Sequence, residues 1–166
     1  LKELLEKHGG VRLDHARRVA LARVLSGLMW GELVAWRVAA QLADRLECLE
    51  AKLAATSQAH DEARHFYVMH DYLEALDVPI PPLDISTRHL LELVLRTDRL
   101  PEKLVGMQLF VETMALTIFK IMRERAIEPV LTELMPFYER DEARHVGRGV
   151  QHCPVLVKHA SRADQA

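Results

Sequence analysis

The sequence predicts an all-α protein, a four-helix bundle with a long crossover between its second and third helices. Three observations carry this reading. Apolar residues recur at helical spacing almost throughout, and no stretch alternates in the two-residue rhythm of strands. The pentapeptide Asp-Glu-Ala-Arg-His occurs twice, at Asp61 to His65 and at Asp141 to His145, eighty residues apart, and each copy has a Glu thirty positions upstream, Glu32 and Glu112. A single proline-rich interruption, between Asp77 and Leu100, separates the two halves.

The helical pattern places long helices near 12–47, 50–76, 101–127 and 129–152. Pro101 and Pro129 suit first-turn positions and Pro154 suits a stop. No Gly or Pro marks the first turn, but Glu32 and Glu62 must sit level in an antiparallel hairpin, which puts the turn midway, near Glu47, roughly 22 Å along the bundle. The midpoint of Glu112 and Glu142 is Ile127, two residues before Pro129. In the interruption, Val78-Pro79-Ile80-Pro81-Pro82 must be extended, and Ser86 to Thr97 reads as a short helix. Together they reach about 40 Å, enough to run the length of a bundle.

In an α-helix, positions three and four apart share a face, so Glu62 with His65, and Glu142 with His145, can point at one centre. With Glu32 and Glu112 they supply four carboxylates and two imidazoles, a ligand set that iron and manganese accept in pairs. A lone Glu-x-x-His is weak evidence. Two copies in register with two further Glu residues inside apolar segments are strong evidence, because a plain bundle would have to bury four carboxylates without recompense. The expected centre holds two metal ions, bridged by Glu62 and Glu142, with one histidine on each.

This constellation resembles the ferritin-like di-iron carboxylate proteins, over nearly the whole chain from about residue 12 to 152. The Asp-Glu-x-Arg-His form looks most like the soluble oxygen-activating branch: multicomponent monooxygenases, acyl-carrier-protein desaturases and related oxidases. The resemblance implies a dinuclear iron, or manganese/iron, oxidoreductase that activates dioxygen to oxidise a small organic substrate. It also implies that the aspartate of each motif reaches the histidine of the other, pairing Asp61 with His145 and Asp141 with His65, with Arg64 and Arg144 neutralising those aspartates. The alternative is an iron-handling or peroxide-scavenging ferritin-like protein. Two departures stand out: Met69 lies where ribonucleotide reductases place a tyrosine, and Ala115 and Leu116 lie where monooxygenases and desaturases place a threonine, Thr113 and Thr117 being adjacent.

Tyr138, one turn before Glu142, and Tyr72, two turns after His65, are candidate catalytic phenols, with ordinary core tyrosines the competing reading. Trp36, Met69, Phe110 and Leu116 are expected to line an apolar interior, and Gly147 and Gly149 either open a cavity beside the second metal or allow close helix packing.

At 166 residues, with 49% hydrophobic and 28% charged, the chain reads as one domain, 1–166, with its core at about 12–152. The net charge of −2 gives no support to nucleic-acid or membrane-surface partners. Cys48 and Cys153 form no Cys-x-x-Cys pair and no disulfide framework, so a reducing cytoplasm is expected. Lacking a flavin or nucleotide fingerprint, the chain needs an external electron donor such as a reductase or ferredoxin. The start, Leu1-Lys2-Glu3, has neither an initiator Met nor a signal-peptide core, so a trimmed or longer chain is expected. Leu104 to Phe119 is apolar enough to mimic a membrane span, but Glu112 at its centre fits a buried metal-binding helix better. The breadth of apolar surface on the third long helix, and on the first through Val19, Leu21, Val24, Leu25 and Leu28, predicts a homodimer unless Leu90, Leu91, Leu93, Val94 and Leu95 cover it.

Overall fold

The structure, a computed structural model, describes residues 1–159, with side chains through His152. Within these residues it is all-helical and contains no strand. Six helices occur in chain order: α1 (Lys2–His8), α2 (His15–Arg45), α3 (Leu49–Ala75), α4 (Ile85–Arg96), α5 (Leu100–Glu124) and α6 (Pro129–His159). The extensive pairings are α2 with α3 and α5 with α6, while α3 meets α6 and α2 meets the middle of α5.

Helix α1 has no counterpart among the helices expected from the sequence. It ends on Gly9 and Gly10, both left-handed with φ of 68° and 82°, and the Gly10 amide donates to Leu5 O at 2.8 Å. Such paired glycines satisfy the last carbonyls of a helix at little steric cost. Lys7 Nζ and His8 Nε2 then bind the Glu133 carboxylate of α6 at 2.7 and 2.8 Å, and Leu1, Leu4 and Leu5 pack on the core.

Asp14 caps α2, its Oδ1 accepting from the Arg17 amide at 2.9 Å. The turn to α3 occupies residues 46–48, where Leu46 adopts an extended conformation. Residues 79–84 form no helix, and the Ser26 hydroxyl donates to Pro81 O at 2.7 Å, tying this stretch to α2. Asp84 caps α4 by accepting from the Ser86 and Thr87 amides, both at 3.0 Å. Leu91 and Val94 face inward from α4, whereas Leu93 is exposed. The close approach of α4 to α5 requires Gly106, where a Cβ would lie 2.9 Å from Val94 Cγ2.

Two differences from the expected helices stand out. Helix α5 is not uniform: Val105–Val111, immediately before Glu112, is wound as a π-helix. That wider winding rotates the later turns of α5 relative to its first turn, so that Lys103, Leu104, Met107, Gln108 and Glu112 are all buried. Helix α6 continues to His159, past Pro154. A proline removes one backbone donor and bends a helix without obliging it to stop, as Pro136 also shows in the same helix. The side chains of Cys153 and Pro154 lie outside the described residues; Cys48 is a free, exposed thiol.

The buried apolar residues fall into two clusters. One contains Leu25, Met29, Met69, Leu73, Phe119, Met122, Leu131 and Met135; the other contains Val38, Leu42, Leu46, Ala51, Leu104 and Met107. Along every long helix, the predicted ligand residues lie between or beside these clusters. Helices α2 and α5 are long and apolar enough to cross a membrane, by length and composition alone, a test that the core helix of a soluble protein also passes. Each carries a buried glutamate near its middle, Glu32 and Glu112.

The two late glycines of α6 differ in kind. A Cβ at Gly149 would lie 2.6 Å from Gln108 Cβ, whereas a Cβ at Gly147 meets nothing within 4 Å and faces solvent. Gly149 therefore serves close packing against α5, and the cavity it lines with Gln58 and Gln108 holds only about 30 Å³. Gly149→Ala should lower stability by about 1–3 kcal/mol, while Gly147→Ala should raise it by up to about 1 kcal/mol. Chemical denaturation of the two variants checks the opposite signs.

Candidate metal centre

Helix geometry sets the site. Glu62 and His65 on α3, and Glu142 and His145 on α6, are each three residues apart, and all four side chains turn inward between the two apolar clusters. Glu32 from α2 and Glu112 from α5 join them, and all six residues are buried.

The six form two overlapping groups that could hold a metal ion: Glu32, Glu62, His65 and Glu142, and Glu62, Glu112, Glu142 and His145. His65 Nδ1 lies 3.0 Å from Glu142 Oε1, 3.3 Å from Glu62 Oε2 and 3.4 Å from Glu32 Oε2. His145 Nδ1 lies 2.9 Å from Glu62 Oε1, 3.2 Å from Glu142 Oε2 and 3.8 Å from Glu112 Oε2. Glu62 and Glu142 thus offer one oxygen to each group.

The donor set suits a cation. His65 Nδ1, Glu62 Oε2 and Glu142 Oε1 are buried and close together, yet none has a hydrogen-bond partner. Polar atoms so placed are costly unless something binds them. A divalent ion among them would satisfy all three.

Behind the histidines lies a ring of charge. His65 Nε2 is 3.4 Å from Asp141 Oδ2, and His145 Nε2 is 3.4 Å from Asp61 Oδ2, each aspartate coming from the opposite motif. Arg64 donates to Asp141 at 2.7 Å and Asp61 at 3.0 Å; Arg144 donates to Asp141 at 2.9 Å and Asp61 at 3.0 Å. Each imidazole therefore turns Nδ1 to the carboxylate cluster and Nε2 to an aspartate, the arrangement that fixes a tautomer.

Burial drives the protonation pattern. Glu32 and Glu112 are pushed well above the ordinary carboxylate range by burial and by repulsion from Glu142, more than their histidine neighbours can offset. Burial also opposes the ionised forms of Glu62, Glu142, His65 and His145, but it is outweighed by His145 and His65 at Glu62, by Glu112 and the two histidines at Glu142, by Glu142, Glu32 and Glu62 at His65, and by Glu112, Glu142 and Glu62 at His145. Glu62 and Glu142 are held low, His65 is raised, and His145 is pushed up to about 12.

The structure corrects several expectations. Tyr72 is not at the site: its hydroxyl donates to Glu128 at 2.9 Å, and that buried glutamate caps α6 by accepting from the Leu131 amide at 3.0 Å. Phe110 is exposed, and Trp36 pairs at 6.4 Å with Tyr67, itself an exposed ring. Leu116 is only half-buried, whereas Met69 is fully buried. Thr113 and Thr117 are exposed, the Thr117 hydroxyl donating to Thr113 O. Tyr138 does reach the site. Its ring stacks on His65 with centroids 4.4 Å apart, and its hydroxyl donates to His65 O at 2.8 Å.

Sequence reasoning missed Gln58 and Gln108. Buried Gln58 donates to Glu62 Oε1 at 2.9 Å and Glu112 Oε1 at 2.8 Å, and Gln108 donates to Gln58 Oε1 at 2.7 Å. Each precedes a predicted ligand by four residues, Glu62 and Glu112, so each shares its helix face. That spacing was the available signal.

No protein-family model matches this chain, and neither curated proteins nor solved structures provide a match.

Asp61→Asn or Asp141→Asn should weaken divalent-metal binding by about 10–100-fold and leave the helical content intact. Equilibrium metal titration with circular dichroism as the folding control measures both. Because bound protons on Glu32, Glu112 and the histidines must leave before a cation enters, affinity should climb with pH through the neutral range and keep climbing towards about 12, where His145 gives up its proton unaided. Calorimetry in buffers of different ionisation heat should show protons released on binding; release of none would contradict this protonation pattern.

Proposed function

We propose that this chain is a ferritin-like dinuclear metal protein, a four-helix bundle with a long crossover, which uses two iron ions, or manganese and iron, to activate dioxygen. One observation supports this best: two ligand groups share Glu62 and Glu142, each carboxylate turning one oxygen to each group. Glu32 with His65 would complete one metal position and Glu112 with His145 the other. When bound, a reduced metal pair supplies the electrons that convert dioxygen into an oxidant for an organic substrate.

The protein's own contribution is positional. Asp61 and Asp141 hold the imidazoles by Nε2, Arg64 and Arg144 hold those aspartates in place by hydrogen bonds, and the apolar clusters exclude water. Burial and the Arg64 contact, with help from Arg140, His65 and Arg144, act oppositely on Asp141, and the contacts win, leaving its carboxyl at about 2. Its hold on His65 therefore persists above the ordinary aspartate range and fades only as pH falls towards 2. Tyr138, stacked on His65, keeps its proton: burial and the nearby Glu32 push the phenol well above its ordinary range.

An external reductase or ferredoxin would supply electrons, in a cytoplasmic setting without nucleic-acid or membrane partners. Val24 on α2 and Val105, Phe110, Met114 and Ile121 on α5 are exposed, which supports a homodimer. Sedimentation at micromolar concentration should show it, and a clean 19.0 kDa monomer would refute it.

Replacing Glu62 or Glu142 by Ala should abolish binding of two metal ions per chain, read by elemental analysis after equilibrium dialysis. A variant that still held two ions would sink the bridging assignment. Mixing the anaerobically reduced, iron-loaded protein with dioxygen in stopped flow should give an absorbing transient; oxidation of added ferrous iron into a mineral core would instead favour an iron-handling protein.

A further inference from the structure

A cavity of about 250 Å³ lies between α2, α4 and α5, and Glu32 and Glu112 are among the residues that line it. These are the two carboxylates contributed singly, by α2 and α5. The rest of the inner wall is apolar, from Leu28, Ala35, Met107, Val111, Ala115 and Ile118. Charge appears only as Arg23 and Asp84, with Thr87 the one neutral polar neighbour.

Two glycines keep this space open. Gly27 and Gly31 stand on α2 one turn apart, Gly31 beside Glu32, and a Cβ at either meets nothing within 4 Å. Gly106 and Gly149 differ, since a Cβ there would press on Val94 or Gln108, so close packing explains them. It does not explain Gly27 and Gly31, which weaken a helix interior relative to alanine. Room in the cavity is what they provide.

The walls specify the ligand. Charged ligands are disfavoured, because an anion, a hydrated cation or a phosphorylated carrier would each lose its water against apolar side chains. The volume exceeds the ~150 Å³ that accommodates benzene in an apolar cavity and falls below the ~300 Å³ where drug-sized pockets begin. We propose that this cavity binds an uncharged apolar molecule of single-ring or short-chain size, with Gly27 and Gly31 setting its room. Calling that molecule the substrate rests on the dinuclear-metal function proposed for the site; the binding itself does not.

Toluene is a suitable probe, titrated by calorimetry into the full-length chain with and without bound metal. Wild-type protein should bind it, and benzoate, the same ring bearing a charge, should bind at least about tenfold more weakly. The Gly27→Ala/Gly31→Ala double variant should lose about tenfold in toluene affinity while melting at a higher temperature, and Gly31→Leu should lose about 100-fold, within the range methylene groups command in an apolar pocket. If Gly31→Leu misfolds, the alanine pair decides. Wild-type affinity in that pair, equal binding of benzoate, or no toluene binding would each overturn the assignment. Toluene binding without metal uptake would instead leave the cavity standing and overturn the dinuclear centre, so the two failures are distinguishable.

Discussion

Burial of six ionisable side chains at one level of the helices is the constraint on which the rest of this structure depends. A carboxylate or imidazolium removed from water is costly unless opposite charge or hydrogen bonds compensate it. Here Glu32, Glu62, His65, Glu112, Glu142 and His145 compensate one another only because four helices bring them together. A slip of α3 against α2 by one residue would carry Glu62 and His65 off the shared face. The register of both helical hairpins, the turns at 46–48 and 125–128, and the separation of the apolar core into two clusters all answer to the same requirement. Ligand uptake and folding are linked for this reason, since whatever neutralises the cluster stabilises the arrangement that forms it.

Much of that constraint was legible in the sequence because it is local and repeated. Helix periodicity located α2, α3, α4 and α5 to within a few residues, and equal spacing around Glu47 and Ile127 located turns without glycine. The features that escaped lack a local signature. Nothing in Val105 to Val111 distinguishes π from α winding, which depends on how α5 meets α4 and α6. Helix α1 is too short to show a period, and Lys7, His8 and Glu133 are brought together only by the fold. Tyr72 lay on the correct helix, but its partner Glu128 stands 56 residues away and serves a helix cap. Pro154 misled because a proline removes one backbone donor without obliging a helix to stop, and this helix continues to His159.

The duplication also hides an asymmetry that only the structure displays. The eighty-residue offset that maps Glu62 onto Glu142 maps Gln58 onto Tyr138. Gln58 places amide hydrogens on Glu62 and Glu112 and is itself held by Gln108, whereas Tyr138 places an aromatic face on His65 and directs its hydroxyl to backbone. The same offset maps Gln108 back onto Leu28, so no second amide pair exists beside Glu32. The half containing Glu112 is accordingly pinned by hydrogen bonds, and the half containing Glu32 is bordered by apolar and aromatic surface.

Pinning matters because a carboxylate held by an amide loses freedom to change the direction of its lone pairs, while one facing an apolar wall keeps it. Glu112 has Gln58 on one oxygen and faces the α2–α5 cavity; Glu32 faces the same cavity without such a partner. On the opposite side, Asp61, Asp141, Arg64 and Arg144 form a closed ring that leaves neither imidazole free to turn. Rigidity is thus concentrated on the histidine side and freedom on the side of the single glutamates, where Gly27 and Gly31 leave room for a small molecule. A site built this way can hold a cation through one face while ligands exchange through the other, and of its two single carboxylates Glu32 is the one that no amide holds.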